Sequence, residues 1–182
     1  EAWVMCMMIG KAYGIPTVAL RYFNVYGPRQ SLSNPYTGVA AIFMSRIKNG
    51  KQPIVYEDGL QTRDFVSVHD IVNANLISME SKSADYEVFN VGTGKPITIK
   101  SMADTLARAY GKDIKPMIAN KFRKGDVRHC FADISKIKKK LGFEPMVEFE
   151  HGMKELIQWS KNAEAVDKFD NASEELKRHG LV

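Results

Sequence analysis

Ala2-Trp3-Val4-Met5-Cys6-Met7-Met8-Ile9-Gly10-Lys11-Ala12-Tyr13 is apolar on nearly every side and is closed by Gly14. Ile15-Pro16-Thr17-Val18-Ala19-Leu20 follows at once, short, apolar and rich in β-branched residues. A helix that is apolar all round has to be buried on more than one side. The second run reads as a parallel strand buried on both faces. Helix, tight turn and strand in that order is the rhythm of an α/β sheet, which sets the expected fold class.

Outward from this unit the texture changes. Residues 21–35 are polar and turn-rich, with Gly27, Pro28, Ser31, Ser33, Asn34 and Pro35, and read as a long excursion. Thr37 to Lys48 reads as a helix stopped by Asn49-Gly50, and Pro53 to Tyr56 as a short strand before the turn Glu57-Asp58-Gly59. Residues 62–68 alternate like a strand, with Asp64 and Ser67 as polar members, and Asp70 is placed to cap a helix reaching about Ser78. Glu87 to Val91 is a strand, Gly92-Thr93-Gly94 a turn, and Thr98 opens a helix through Tyr110 that Gly111 closes. A further strand is expected at Ile114 to Ile118, then an apolar stretch Cys130-Phe131-Ala132. Helices at Ser135 to Leu141, Phe149 to Ser160 and Ala172 to Arg178 follow.

The chain has 182 residues, 45% of them apolar and 26% charged, enough to bury a sizeable core. No apolar run approaches the length of a membrane span. Glu1-Ala2-Trp3-Val4 has neither an initiator Met nor a basic n-region, which reads as a boundary within a longer chain rather than a signal peptide. Cys6 and Cys130 lack a Cys-x-x-Cys partner and read as reduced thiols of a cytoplasmic protein. His69, His129, His151 and His179 are too scattered for a metal site. His129 beside Cys130 reads as an edge-strand pair. The net charge of +5 is spread along the chain. Its densest basic run, Lys136 to Lys140, sits within an expected helix and reads as a solvated face, not a nucleic-acid patch. No membrane or nucleic-acid partner is expected, and a weak positive bias suits an anionic small molecule.

Several residues invite chemistry. Tyr22-Phe23-Asn24 stands at the carboxyl end of a parallel strand, where open α/β sheets bind ligands. Arg63 lies in a strand built for burial and needs a partner. That partner is either a diphosphate, gripped bidentately, or a carboxylate such as Asp64 or Asp58. Arg123-Lys124-Gly125-Asp126 sets a cation and a carboxylate three residues apart around a glycine, suited to a phosphate and to ribose hydroxyls, or to a plain surface loop. Gly92-Thr93-Gly94 is no dinucleotide fingerprint, because Ile97 stands where the third glycine would fall.

Arg21 to Gln30, Tyr56 to Asp70, Phe89 to Gly94, and Arg123 to Asp126 with Ala132 to Lys136 resemble, in order and spacing, four blocks of the extended short-chain dehydrogenase/reductases. The likeness is to the nucleotide-sugar epimerases and dehydratases of that family and runs to about Ser160. It implies the last helix–strand units of a Rossmann-type parallel sheet plus a smaller mixed α/β substrate-binding domain. Residues 1–30 would be the tail of the NAD-binding domain, 31–160 mostly the nucleotide-sugar-binding domain, and 161–182 a helical tail packed by Leu176 and Leu181, or free. By resemblance, Tyr22 and Phe23 lie at the nicotinamide of NAD, Asn24 and Arg63 at the diphosphate, and Val39 offers backbone at a helix N-terminus. Tyr56 stands beside the base, and Arg123 and Asp126 hold phosphate and ribose.

The family's Gly-rich loop and its catalytic Tyr-x-x-x-Lys pair do not occur in this sequence, Glu1 falling just beyond where the lysine would be. The resemblance therefore implies the C-terminal substrate-binding part of a UDP-sugar 4-epimerase-like enzyme, inactive alone, with helix 2–13 forming a homodimer. A nucleotide-sugar 4,6-dehydratase and a non-catalytic binding protein are the alternatives.

Overall fold

The computed structural model describes residues 2–34 and 38–180. Glu1, Pro35, Thr37 and Leu181, which figure in the sequence reading, lie outside the described residues. Helix α1 (Ala2–Tyr13) has its expected bounds, but only Met7 and Gly10 are buried. Trp3, Met5, Met8, Ile9 and Tyr13 stay exposed, so the burial predicted on several sides is not supplied within this chain. Strand β1 (Ala19–Tyr22) starts four residues later than expected, with Ile15 exposed ahead of it. The ladder begins where a partner exists: Tyr86 donates to the Thr17 carbonyl, and Ala19 to Tyr22 then pair in parallel with β6 (Val88–Val91).

The excursion at residues 21–35 is not all loop. Strand β2 (Asn24–Tyr26) interrupts it, paired in parallel with β5 (Phe65–Ser67), a partner about forty residues on that local pattern cannot reveal. The run 62–68 is likewise not one alternating strand. It breaks at Asp64 into β4 (Thr62–Arg63) and β5, and Val68 already begins α3 (Val68–Glu80). Phe65, Val66 and Ser67 are all buried, so no alternation survives. Ser67, not Asp70, caps α3 by accepting from the His69 amide. The Asp70 carboxylate instead accepts from Met146 and Val147 N–H.

β4 is the middle of a mixed three-stranded sheet, antiparallel to β7 (Ile97–Thr98) and parallel to β9 (His129–Cys130). His129-Cys130 is thus the edge-strand pair expected. The short β3 (Ile54–Val55) and β8 (Met117–Ile118) pair in parallel. Two hydrophobic clusters form. One surrounds β1 and β6 with α3 and α5 (Ser135–Leu141), through Val66, Ile71, Phe89, Val91, Ile137 and Phe143.

The larger cluster joins α2 (Val39–Lys48), α4 (Ile99–Ala109) and α6 (Phe149–Ser160). Helix α4 buries Ile99, Met102, Ala103, Leu106 and Ala107, the i, i+3, i+4, i+7, i+8 stripe of a core-facing helix. Met44, Ile47, Leu106 and Leu156 are completely buried. Burial of each is worth roughly 1.5–3 kcal/mol. Helix α7 (Phe169–Arg178) closes the chain, anchored by buried Phe169, whereas Leu176 is only half-buried. Among the described residues, no helix is long and apolar enough to cross a membrane.

Candidate functional site

The turn after β6 brings together three strand ends. Asp64, fully buried between β4 and β5, accepts from Thr93 N–H (2.8 Å), the Thr93 hydroxyl (2.6 Å), Gly94 N–H (2.8 Å) and Ala132 N–H (3.1 Å). The Thr93 and Gly94 amides, which could have cradled an anion, are therefore filled by the chain's own carboxyl group. Gly92 must be glycine for this, since a Cβ there would stand 2.6 Å from Asp64 Oδ2 and 2.7 Å from Ala132 Cβ. Nothing in the local sequence marks Asp64 as this hub, because its donors are some 30 and 70 residues away.

Asp64 fixes its neighbours. Its carbonyl accepts from Asn24 N–H, setting Asn24 at the head of β2, and Arg63 follows from the same backbone. Arg63 donates to the carbonyls of Thr62 (2.8 Å) and Arg128 (3.0 Å), and pairs with Asp126 at 2.8 Å. The carboxylate partner that the sequence suggested is thus Asp126, not Asp64 or Asp58. Asp64 is occupied by amides, and Asp58 pairs with Arg128 at 2.7 Å, which also binds Glu57 at 2.6 Å. Hydrogen bonding to Arg128 holds the Asp58 carboxyl below its ordinary range.

A cavity of about 300 Å³ opens beside Arg63. Asn24, Val39, Tyr56, Arg63, Arg123 and Asp126, singled out by sequence on four separate segments, all line it. Val39 is the first residue of α2, and Gly38 before it has φ 106° and ψ 158°, a conformation open to glycine alone. Among the described residues no side chain caps this helix, and its N-terminal end, positive by its dipole, lies at the cavity through Gly38, Val39 and Ile42.

The Arg123 guanidinium lies over the Tyr56 ring, 5.0 Å from its centroid. Arg123 Nε is buried with no hydrogen-bond partner among the described residues, as is Oε1 of Gln61, another lining residue. Buried polar atoms without partners are rare, and two on one cavity wall mark where a polar ligand would satisfy them. The polar end of the cavity is thus cationic, and its other walls are apolar: Val39, Ile42, Ile54 and Ile99 with Tyr56 and Phe169.

Gln61 and Phe169 escaped the sequence reading. Gln61 looks like an ordinary turn residue, and Phe169 lies beyond the resembling stretch. Tyr22 and Phe23 stand outside the cavity. Tyr22 is half-exposed at the carboxyl end of β1, with its hydroxyl on Asn75 Oδ1 (2.9 Å), and Phe23 N–H bonds the Val91 carbonyl. The run Lys136 to Lys140 is ion-paired rather than merely solvated: Lys136 and Lys140 hold Glu87, and Lys138 holds Glu144. Both cysteines are free and exposed.

The sequence model of the GDP-mannose 4,6-dehydratase family matches residues 2–156. Among curated proteins, the dTDP-L-rhamnose 4-epimerase of Burkholderia thailandensis is 41% identical over 79% of this chain and 39% of its own length. Among solved structures, UDP-glucose 4-epimerase from Thermotoga maritima with UDP-glucose is 40% identical. It superposes with a TM-score of 0.79 over 87% of this chain and 50% of that one. UDP-glucuronic acid 4-epimerase from Bacillus cereus, in complex with UDP-glucuronic acid and NAD, is 29% identical, with a TM-score of 0.77 over 87% and 49%. The chain spans about half the length of the curated relatives it matches, between 39% and 49% for the first three.

Proposed function

The chain belongs to the GDP-mannose 4,6-dehydratase family, within the extended short-chain dehydrogenase/reductases, and from that membership we propose that it is the nucleotide-sugar-binding part of an NAD-dependent UDP-sugar 4-epimerase. One observation carries the reading: six residues from four separate segments line a single cavity that has cationic groups and an aromatic wall. In this reading the diphosphate lies between Arg63, Arg123 and the N-terminal amides of α2. Asn24 donates its amide to the same phosphates, Asp126 accepts from ribose hydroxyls, and Tyr56 packs on the base. Arg123 Nε gains the acceptor it lacks.

A bound NAD would supply the hydride acceptor and donor that epimerisation at a sugar carbon requires. This chain fits only one end of that cofactor. Tyr22 and Phe23 offer aromatic surface at the carboxyl end of parallel β1, where a nicotinamide ring would pack. The Gly92-Thr93-Gly94 turn cannot hold the dinucleotide phosphates, because Asp64 already fills its amides. With no Tyr-x-x-x-Lys pair in the sequence, the chain alone is expected to bind substrate without turning it over. Residues 1–30 belong in this reading to the NAD-binding sheet, 31–160 mostly to the sugar-nucleotide domain, and α1 to a homodimer interface. A 4,6-dehydratase is the second reading, favoured by the family's own description.

Thermal shift and calorimetric titration with UDP-glucose test the binding site. The wild type should be stabilised by mass action. Arg123→Ala removes a charged hydrogen-bond donor worth roughly 1.5–3 kcal/mol, or about 10- to 150-fold in affinity. Arg63→Ala should cost at least as much, since it also leaves Asp126 unpaired beside the phosphates. No shift with UDP-, dTDP-, GDP- or CDP-sugars from a folded wild type would sink the assignment.

A further inference from the structure

Phe169 occupies a wall of the cavity, yet it lies beyond residues 2–156, the part that matches the family. The segment carrying it is tied down along its length to α2. Lys48 Nζ donates to the carbonyls of Ser160 (2.6 Å) and Ala163, and Asn49 Nδ2 to that of Ala165 (2.9 Å). Val166 N–H bonds Ser33 Oγ at 2.9 Å. Asp167, its side chain only 5% exposed, then accepts from Phe169 N–H (3.1 Å). It pairs with Arg46 (3.4 Å) and Lys51 (2.9 Å), to which Asp170 is also bound.

A buried Arg–Asp pair is a costly way to gain stability, but it fixes position. What it positions is the Phe169 ring, 7% exposed, with the Arg46 guanidinium 4.7 Å from its centroid on one side and the Tyr56 ring 6.5 Å away, tilted by 42°. The cavity is therefore lined by the Arg63–Asp126 pair, by Arg123 lying over the Tyr56 ring, and by Phe169 beside that ring, so its cationic groups adjoin an aromatic corner from two distant segments. A nucleotide carries the same two features, a charged diphosphate and a planar base.

We propose that residues 163–170 are a strap that completes the nucleotide site, and that Phe169 is a specificity-determining residue forming, with Tyr56, the surface on which the base packs. The inference rests on the nucleotide reading of the cavity and adds to it a wall from outside the family's shared blocks. Arg46, Lys51 and Asp167 are positioning residues that act through Phe169.

Calorimetry with two probes, UDP and inorganic pyrophosphate, separates the base wall from the diphosphate grip. Wild type should bind UDP more tightly than pyrophosphate. Phe169→Leu keeps apolar bulk but removes the aromatic face, and should weaken UDP by about three- to tenfold, the worth of an aromatic stacking contact. Pyrophosphate affinity should stay within about twofold, and Phe169→Tyr should retain UDP binding to the same margin. Equal losses for both probes in Phe169→Leu would reduce the residue to a structural role and overturn the proposal, as would no loss for either. Should the leucine variant fail to fold, Phe169→Met, which likewise removes the ring, takes its place in the same two-probe comparison with the same outcomes. Equal wild-type affinity for UDP and pyrophosphate overturns the base wall and leaves the diphosphate site standing. Wild type that binds neither probe overturns the proposed function itself.

Discussion

Asp64 is a carboxyl group buried with no cationic partner among the described residues, held by the N–H groups of Thr93, Gly94 and Ala132 and the hydroxyl of Thr93. Every one of these contacts is a donor, so a side chain that is half donor cannot replace it. Asp64→Asn turns an amide toward at least one N–H and should destabilise the fold by about 2–4 kcal/mol, read from the urea midpoint at an unchanged m-value. A variant as stable as wild type would show that the turn is held by something else. The site's conspicuous residues were readable one at a time, because arginine in a strand and the Arg123-Lys124-Gly125-Asp126 turn are chemically odd where they stand. Asp64 was not, since an acid beside a strand looks alike whether it faces water or amides. Nor was Gln61, whose unpartnered oxygen is a property of the cavity and not of its neighbours in sequence.

Among elements, the helices were legible to within a few residues. α1, α5 and α6 have the bounds expected from the sequence. Strands fared worse for a physical reason: β2, β4 and β9 are two or three residues long and exist only because a distant partner pairs with them. One junction between elements carries a pH signature. Glu87, just ahead of β6, is hydrogen-bonded by Lys136 and Lys140 of α5, which lowers its carboxyl from 4.5 to about 2. A depressed acid contributes stability that is full above the unfolded value and fades as protonation reaches the folded one. The bridge should thus be intact above pH 4.5 and lost progressively towards about 2. Glu87→Gln should melt at a lower temperature than wild type at pH 7, and the gap should close over that acid window. Parallel melting curves at all pH values would refute the linkage.

At the scale of the molecule, two cores sit either side of the junction made by Asp64, one around β1 and β6 and one among α2, α4 and α6. The face of α1 that carries Met5, 63% accessible, and Met8, 67%, is left uncovered by this arrangement, and apolar patches of this kind mark interaction surfaces. If a second copy covers it, light scattering should give the mass of two chains, and Met8→Asp should return the mass of one. A monomeric wild type at micromolar concentration would rule out that interface.

The pairing of Arg63 with Asp126 makes the cationic end of the cavity behave as an ion exchanger supplied with its own resident counter-ion. At Arg63 an arriving anion does not meet a bare charge but competes with a tethered carboxylate, so it is judged there on charge density. A monoanion such as chloride or acetate offers Arg63 nothing that Asp126 does not already give. In the nucleotide reading proposed above, a diphosphate would displace the carboxylate, engage Arg123 in the same move and free Asp126 for hydroxyl groups. On that reading, selection at Arg63 against common monoanions would be built in at rest, before any part of the ligand beyond its phosphates has been read.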